Sequence, residues 1–228
     1  MHISSEPMNM PFALKDCTLI TRMAGIPTAM NLRELQERIR VSPEECLFHH
    51  FCETVIRPTF DDPEFHNDVA VWARRQLRDR VLAERLGIIN PYKLNSLQEI
   101  REVVLDVIEE RLSEVHHIPW APPGQDFQFM QAVTVVFDTG IQLQTPEDLC
   151  AQLPHMSHSS IYYHFVEARR RGVEKLDDFT LWLNGFSDGV SPIVDALSNV
   201  EFYFVALWEL QKRLIRAVEA ALPECAHE

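Results

Sequence analysis

The tetrapeptide His50-Phe51-Cys52-Glu53 returns as His164-Phe165-Val166-Glu167, 114 positions later. A repeat at long period constrains a fold before any other feature does, because each copy must carry the same supersecondary plan. The match extends on both sides. Leu35 pairs with Leu149 at the same offset, Gly25-Ile26 with Gly140-Ile141 at 115, and Asp68 and Trp72 with Asp178 and Trp182 at 110. Leu97, Glu109 and Leu112 pair with Leu207, Glu219 and Leu222, also at 110. The order is kept and the offset moves only in steps. The largest step falls in RPTFDDP, which reads as a loop, where insertions are tolerated. The chain therefore reads as an internal duplication.

Each copy opens on a strand. FQFMQAVTVVF (127–137) sets Phe127, Phe129, Val133, Val135 and Phe137 on alternate positions, and FALKDCTLIT (12–21) is the weaker counterpart. A Gly-Ile turn and four helices follow. Helix starts are marked by Asn31 with Glu34, Ser42-Pro43-Glu44-Glu45, Asp62-Pro63-Glu64, Ser96 with Glu99, and Thr145-Pro146-Glu147-Asp148. Their side chains can accept from the orphan N–H groups of a first turn, and proline costs nothing there. Each copy ends on an amphipathic helix: Leu97, Ile100, Val104, Leu105, Ile108 and Leu112 in one, Leu207, Leu210, Leu214, Ile215, Val218 and Leu222 in the other. The expected fold is mainly α (α+β): an internally duplicated, pseudo-two-fold helical domain with a small β element of one strand per half. Its expected parts are a flexible N-terminus (1–11), a first repeat (12–115), a Pro-rich linker HHIPWAPPGQD (116–126) and a second repeat (127–222), both repeats packed as one domain.

On a helical wheel, Leu47, Phe48, Phe51, Cys52 and Val55 form a core face, with His49, His50 and Glu53 opposite. Ile161, Tyr162, Phe165 and Val166 repeat that face, with Tyr163, His164 and Glu167 opposite. His50/Glu53 and His164/Glu167 are i, i+3 neighbours and can touch. Two readings follow. In one, His50, Glu53, His164 and Glu167 hold a transition metal between the copies, Asp68 and Asp178 adding oxygen ligands, as helical bundles do for di-metal centres. The carboxylates would then serve as ligands or general base. In the other, the repeated His/Glu/Tyr face lines a small-molecule cleft or serves as a structural or subunit contact. Known helical metal motifs place Glu before His, which favours the second. Arg169-Arg170-Arg171 closes the second HF helix, suits a helix C-terminus, and with Tyr163 could bind an anionic ligand. Trp72 and Trp182 read as core, His116-His117 as exposed, and the serines of HMSHSS (155–160) as caps rather than nucleophiles. No phosphate-binding glycine loop or nucleophile elbow is present.

Composition narrows the partners. The 228 residues are 46% hydrophobic and 24% charged, enough for a core without metal or disulfide staples. Thirty-four acidic against 21 basic residues give a net charge of −13, which disfavours nucleic acid and anionic membrane surfaces. No apolar stretch approaches the length of a membrane span, and MHISSEPMNMPF lacks a secretory pattern. Five cysteines without C-x-x-C spacing read as reduced, buried thiols. The expectation is a cytoplasmic protein that binds a protein partner or small ligand without catalysis. A metal-dependent enzyme is the alternative, and a homo-oligomer is compatible with either.

Five stretches taken together, FALKDCTLITRMAGIPTAMNLRELQERI, CLFHHFCETVIRPTFDDPEFHNDVAVWA, LAERLGIINP, FDTGIQLQTPEDL and SIYYHFVEARRRGVEKLDDFTLWL, resemble an uncharacterised bacterial family, a domain of unknown function. The resemblance covers nearly the whole chain. It implies a cytosolic bacterial protein and brings no activity, cofactor or catalytic residue with it.

Overall fold

The computed structural model describes residues 10–56, 65–172, 174–186 and 189–222. The fold is α+β: helices with one two-stranded antiparallel sheet. The chain runs β1 (Phe12–Met23), α1 (Leu32–Val41), α2 (Glu44–Phe51), a 3-10 turn (Glu53–Ile56), α3 (Asp68–Arg75), α4 (Arg80–Gly87) and α5 (Leu97–Glu114). It continues through β2 (Met130–Leu143), α6 (Pro146–Gln152), α7 (His158–Ile161), a π-helical turn (Tyr162–Glu167), α8 (Ala168–Arg171), α9 (Asp178–Leu183), α10 (Ser191–Ser198) and α11 (Leu207–Ala221).

The local start signals hold where a side chain can reach its own first turn. Asn31 accepts from the Glu34 amide at 3.0 Å, Ser96 from Glu99 at 3.1 Å, and Thr145 forms a reciprocal capping box with Asp148. Ser42 behaves differently. It closes α1 instead of opening α2, its Oγ donating to the Ile39 carbonyl at 3.0 Å. Buried Arg101 on α5 donates to the same carbonyl and to Ser42 Oγ, sealing an end that would otherwise bury bare acceptors. Asp62-Pro63-Glu64 lies outside the described residues; α3 is capped by Asn67.

The chain divides into two compact units, and the division cuts both strands. One unit is Leu19–Thr134. The other joins the described residues of 1–18 to those of 135–228. The start of β1 thus falls in the unit of the second set of helices, and 127–134 in that of the first. In the 19–134 unit, Leu32, Leu35, Ile39, Leu47, Phe51, Leu82, Leu86, Ile100, Val104, Ile108, Phe127 and Phe129 are buried in one core. In the other unit α11 buries Leu207, Leu210, Leu214 and Val218. The segment expected to be a linker is tied down: Ala121 N donates to Met30 O at 2.7 Å, and Asp126 accepts from Thr28. Gly25 and Gly140 share φ of +76° and +77°, a backbone region open to glycine. Among the described residues no helix is long and apolar enough to cross a membrane.

Cys17, Cys46, Cys52 and Cys150 are buried thiols outside any disulfide. Burial pushes the Cys46 thiol up to about 12, against the opposing pull of Arg101. Cys46 should therefore stay unlabelled by N-ethylmaleimide in the native protein at about pH 8 and react only in denaturant, because the thiolate is the nucleophile. Peptide mass spectrometry after labelling reads this directly.

Candidate functional site

In the 19–134 unit, α2 ends one residue after His50. Its imidazole lies against Phe127, centroids 4.9 Å apart, and its Nδ1 is 2.8 Å from Asp68 Oδ2 at the start of α3. The Met130 amide donates to its Nε2 at 2.9 Å. An N–H directed at Nε2 requires a lone pair there, so the ring proton sits on Nδ1 and is donated to Asp68. Asn67 N-caps α3, accepting from Ala70 N at 2.8 Å, and so fixes where Asp68 stands. Trp72, also on α3, donates to Gln125 O at 2.8 Å.

The second unit repeats this atom for atom. His164 Nδ1 lies 2.7 Å from Asp178 Oδ2, and the Lys15 amide donates to His164 Nε2 at 2.9 Å. Asp177 N-caps α9 through Thr180 N at 2.8 Å. Trp182 donates to Met10 O at 3.1 Å, and Phe12 lies 4.9 Å from the imidazole. Met10, Phe12 and Lys15 stand at one offset, 115, from Gln125, Phe127 and Met130. His164 sits inside the π-helical turn, a local widening often found where a helix carries function.

This geometry corrects the wheel. His49, His50, Glu53, Tyr163 and His164 are buried, not on a wet face. The i, i+3 partners also differ. Glu53 takes His49 Nδ1 at 2.8 Å and accepts from Thr134 Oγ1 at 3.3 Å, while Glu167 pairs with Arg171. His49 Nε2 meets no partner among the described residues. His50 and Glu53 belong to one unit, His164 and Glu167 to the other. As arranged, neither His50 nor His164 offers a nitrogen lone pair to a cation, since each ring uses both nitrogens. Among the described residues no group of three or more His, Cys, Asp or Glu is placed to hold a metal ion.

The basic triplet is largely spent inside its own unit. Arg169 lies over the rings of Phe165 and Phe202 and donates to Asp177 Oδ2 at 2.8 Å. Burial pulls its pKa down, while burial raises that of Asp177 against the attraction of Arg169. Arg171 stacks 3.9 Å over Tyr163, donates to its hydroxyl and carbonyl, and reaches Asp178 at 2.8 Å. Burial opposes its charge, but Glu167 and Asp178 outweigh burial and raise its pKa. Burial likewise raises Glu167, with Arg171 pulling the other way. Arg170 is exposed in part and makes contacts of its own. Sequence reasoning singled out Asp68 and Asp178 but missed their capping neighbours. The signal was present, because Asn67 and Asp177 precede them at the same offset, 110.

The fold and site define a class: an α+β protein in which a buried, Asp-held histidine ties a helix to a strand amide, once in each unit. The chain belongs to a family of unknown function, DUF5752, whose model matches residues 9–219. It is similar to the solved structure of OrfY from Thermoproteus tenax, at TM-score 0.76 and 26% identity, over 95% of this chain and 97% of that one. A comparison with curated proteins finds no match.

Proposed function

We propose that this protein is a non-catalytic, cytosolic binding protein built by internal duplication, and that its working surface is the exposed stretch of β2, which takes an extended segment of a partner protein. The observation that carries this reading is the full use of His50 and His164. An imidazole that donates from Nδ1 and accepts at Nε2 is a strut and not a poised base, since a general base needs a free lone pair at the reacting proton. The duplication is supported by two sets of hydrogen bonds made by residues in register.

What remains for function is surface. Every residue from 135 to 142 of β2 is exposed. Val135 and Phe137 stand two apart and so share one face, Phe137 at 48% exposure, and Ile141 is exposed beyond the positive-φ Gly140. β2 pairs only with β1 among the described residues, so no strand covers its other edge; the amides of Gly140 and Ile141 are met by the Asp138 and Thr139 side chains. A long edge with an apolar row is a template for an added strand, and two strands alone are marginal without cover.

A photo-crosslinking residue placed at Phe137, in cells of the native host, should give one adduct with a distinct polypeptide. The same residue at Trp208, exposed on α11, should not. Ile141→Lys should remove the adduct. No adduct, equal adducts at both positions, or an adduct to a second copy of this chain overturns the reading.

A further inference from the structure

The 19–134 unit carries a cavity of about 240 Å³ where the turn before α4 meets the end of α5. Its polar lining is Arg78, Asp79, Arg80, Arg111 and His117, and its apolar floor includes Leu77 and Val115. We infer that this cavity is an anion site for a phosphate group, either inorganic phosphate or a small phosphomonoester.

Arg80 donates to Glu84 at 2.8 Å, and the chain's net charge is −13, yet the cavity is lined by three guanidiniums and an imidazole against one carboxylate, Asp79. That carboxylate is already engaged. Asp79 Oδ1 accepts from Leu82 N at 3.0 Å as the cap of α4, and Oδ2 accepts from Arg111 Nε at 2.8 Å. Arg111 is held on a second side, its Nη1 donating to Glu114 at 2.9 Å. Glu114 is itself fixed by Arg85 at 2.8 Å. The result is an oriented guanidinium whose Nη2 has no partner among the described residues. The Asp79 hydrogen bond also holds its pKa above the usual arginine value, against the cost of burial. Arg78 and His117 make no hydrogen bond or ion pair among the described residues, and both are exposed. Planar guanidiniums match a tetrahedral oxyanion with paired donors, which single ammonium groups do not. The cavity is below the size usual for larger ligands, which fits a phosphate head with little attached.

Arg78 has φ of +55°, unusual for any residue but glycine. Arg78→Gly therefore removes the charge while suiting the backbone, and it should fold at least as well as the parent. Calorimetric titration with inorganic phosphate up to about 10 mM, at constant ionic strength, should show saturable binding that weakens about tenfold or more in Arg78→Gly. Phenyl phosphate should follow the same pattern if the source is a monoester. Arg33→Gln removes one exposed charge on α1 of the same unit and should leave binding unchanged. Absence of saturable binding, an unchanged affinity in Arg78→Gly, or an equal loss in Arg33→Gln overturns the inference.

Discussion

Replacing His164 by leucine is expected to lower the unfolding free energy by about 3 kcal/mol, although leucine fills much of the same space against Phe12 and Phe179. Packing is nearly conserved, so the loss is polar. The ring is 2% exposed and makes two hydrogen bonds, each worth about 1 kcal/mol net. Its removal also strands the Lys15 amide, and a buried donor without an acceptor costs roughly 1–3 kcal/mol. Asp178 suffers less, because Arg171 still donates to it. Asp178→Asn should consequently cost less than His164→Leu, the amide oxygen still accepting from Nδ1. His50→Leu should match His164→Leu, with Met130 as the stranded amide. Urea unfolding gives the energies. Amide hydrogen exchange supplies the specific mark: Lys15 should lose protection in His164→Leu, and Met130 in His50→Leu. A loss below about 1 kcal/mol, or unchanged protection at those amides, would show that the histidines are not struts.

The histidines and carboxylates of the repeat are paired differently from what the wheel suggests, for a physical reason. Helical periodicity reports how one helix divides its own surface. It cannot report which element later covers the polar side. His50 and His164 sit opposite the apolar stripe, as the wheel places them, but strand residues around Met130 and Lys15 close over them. Those partners are 80 and 149 residues distant, and they act through backbone amides, which no side-chain pattern encodes. The assignment of each strand start to the helices of the other unit was invisible for the same reason. Caps at Asn31, Ser96 and Thr145 were legible because donor and acceptor lie within one turn. Ser42 was not, because the Ile39 carbonyl competes for its hydroxyl. The arginine triplet looked like a ligand surface because sequence shows charge and hides counter-charge. Asp177, which neutralises Arg169, is eight residues away across the turn into α9.

That hidden pair supplies the second large effect. Arg169→Met should destabilise the protein by about 3 kcal/mol near neutral pH, since it leaves the Asp177 carboxylate buried and unmatched. Asp177→Asn should cost clearly less, because burial already raises the Asp177 pKa and a neutral group is not disfavoured there. The cap is not what is lost: Asn67 performs the same N-cap in the other unit, so asparagine at 177 can still accept from Thr180 N. What is lost is the anion beside Arg169, whose side chain is only 15% exposed. The loss in Arg169→Met carries a pH signature. Asp177 is raised above its ordinary value of 3.8 by burial, with Arg169 holding it back. A carboxyl with a raised folded pKa binds its proton more tightly in the native state. The contribution of Asp177 to stability is therefore fully present below 3.8 and is lost as pH rises through the folded value. Without Arg169 that window extends to higher pH, so acidification should recover stability in Arg169→Met and not in Asp177→Asn. The double variant removes both charges, keeps a flexible apolar cover over Phe165 and Phe202, and should regain most of the loss. A coupling energy of about 2 kcal/mol or more between the two sites is the expected result of the cycle. Additive losses would mean that Arg169 acts through its stacking and its bond to Phe165 O, with the charge on Asp177 incidental.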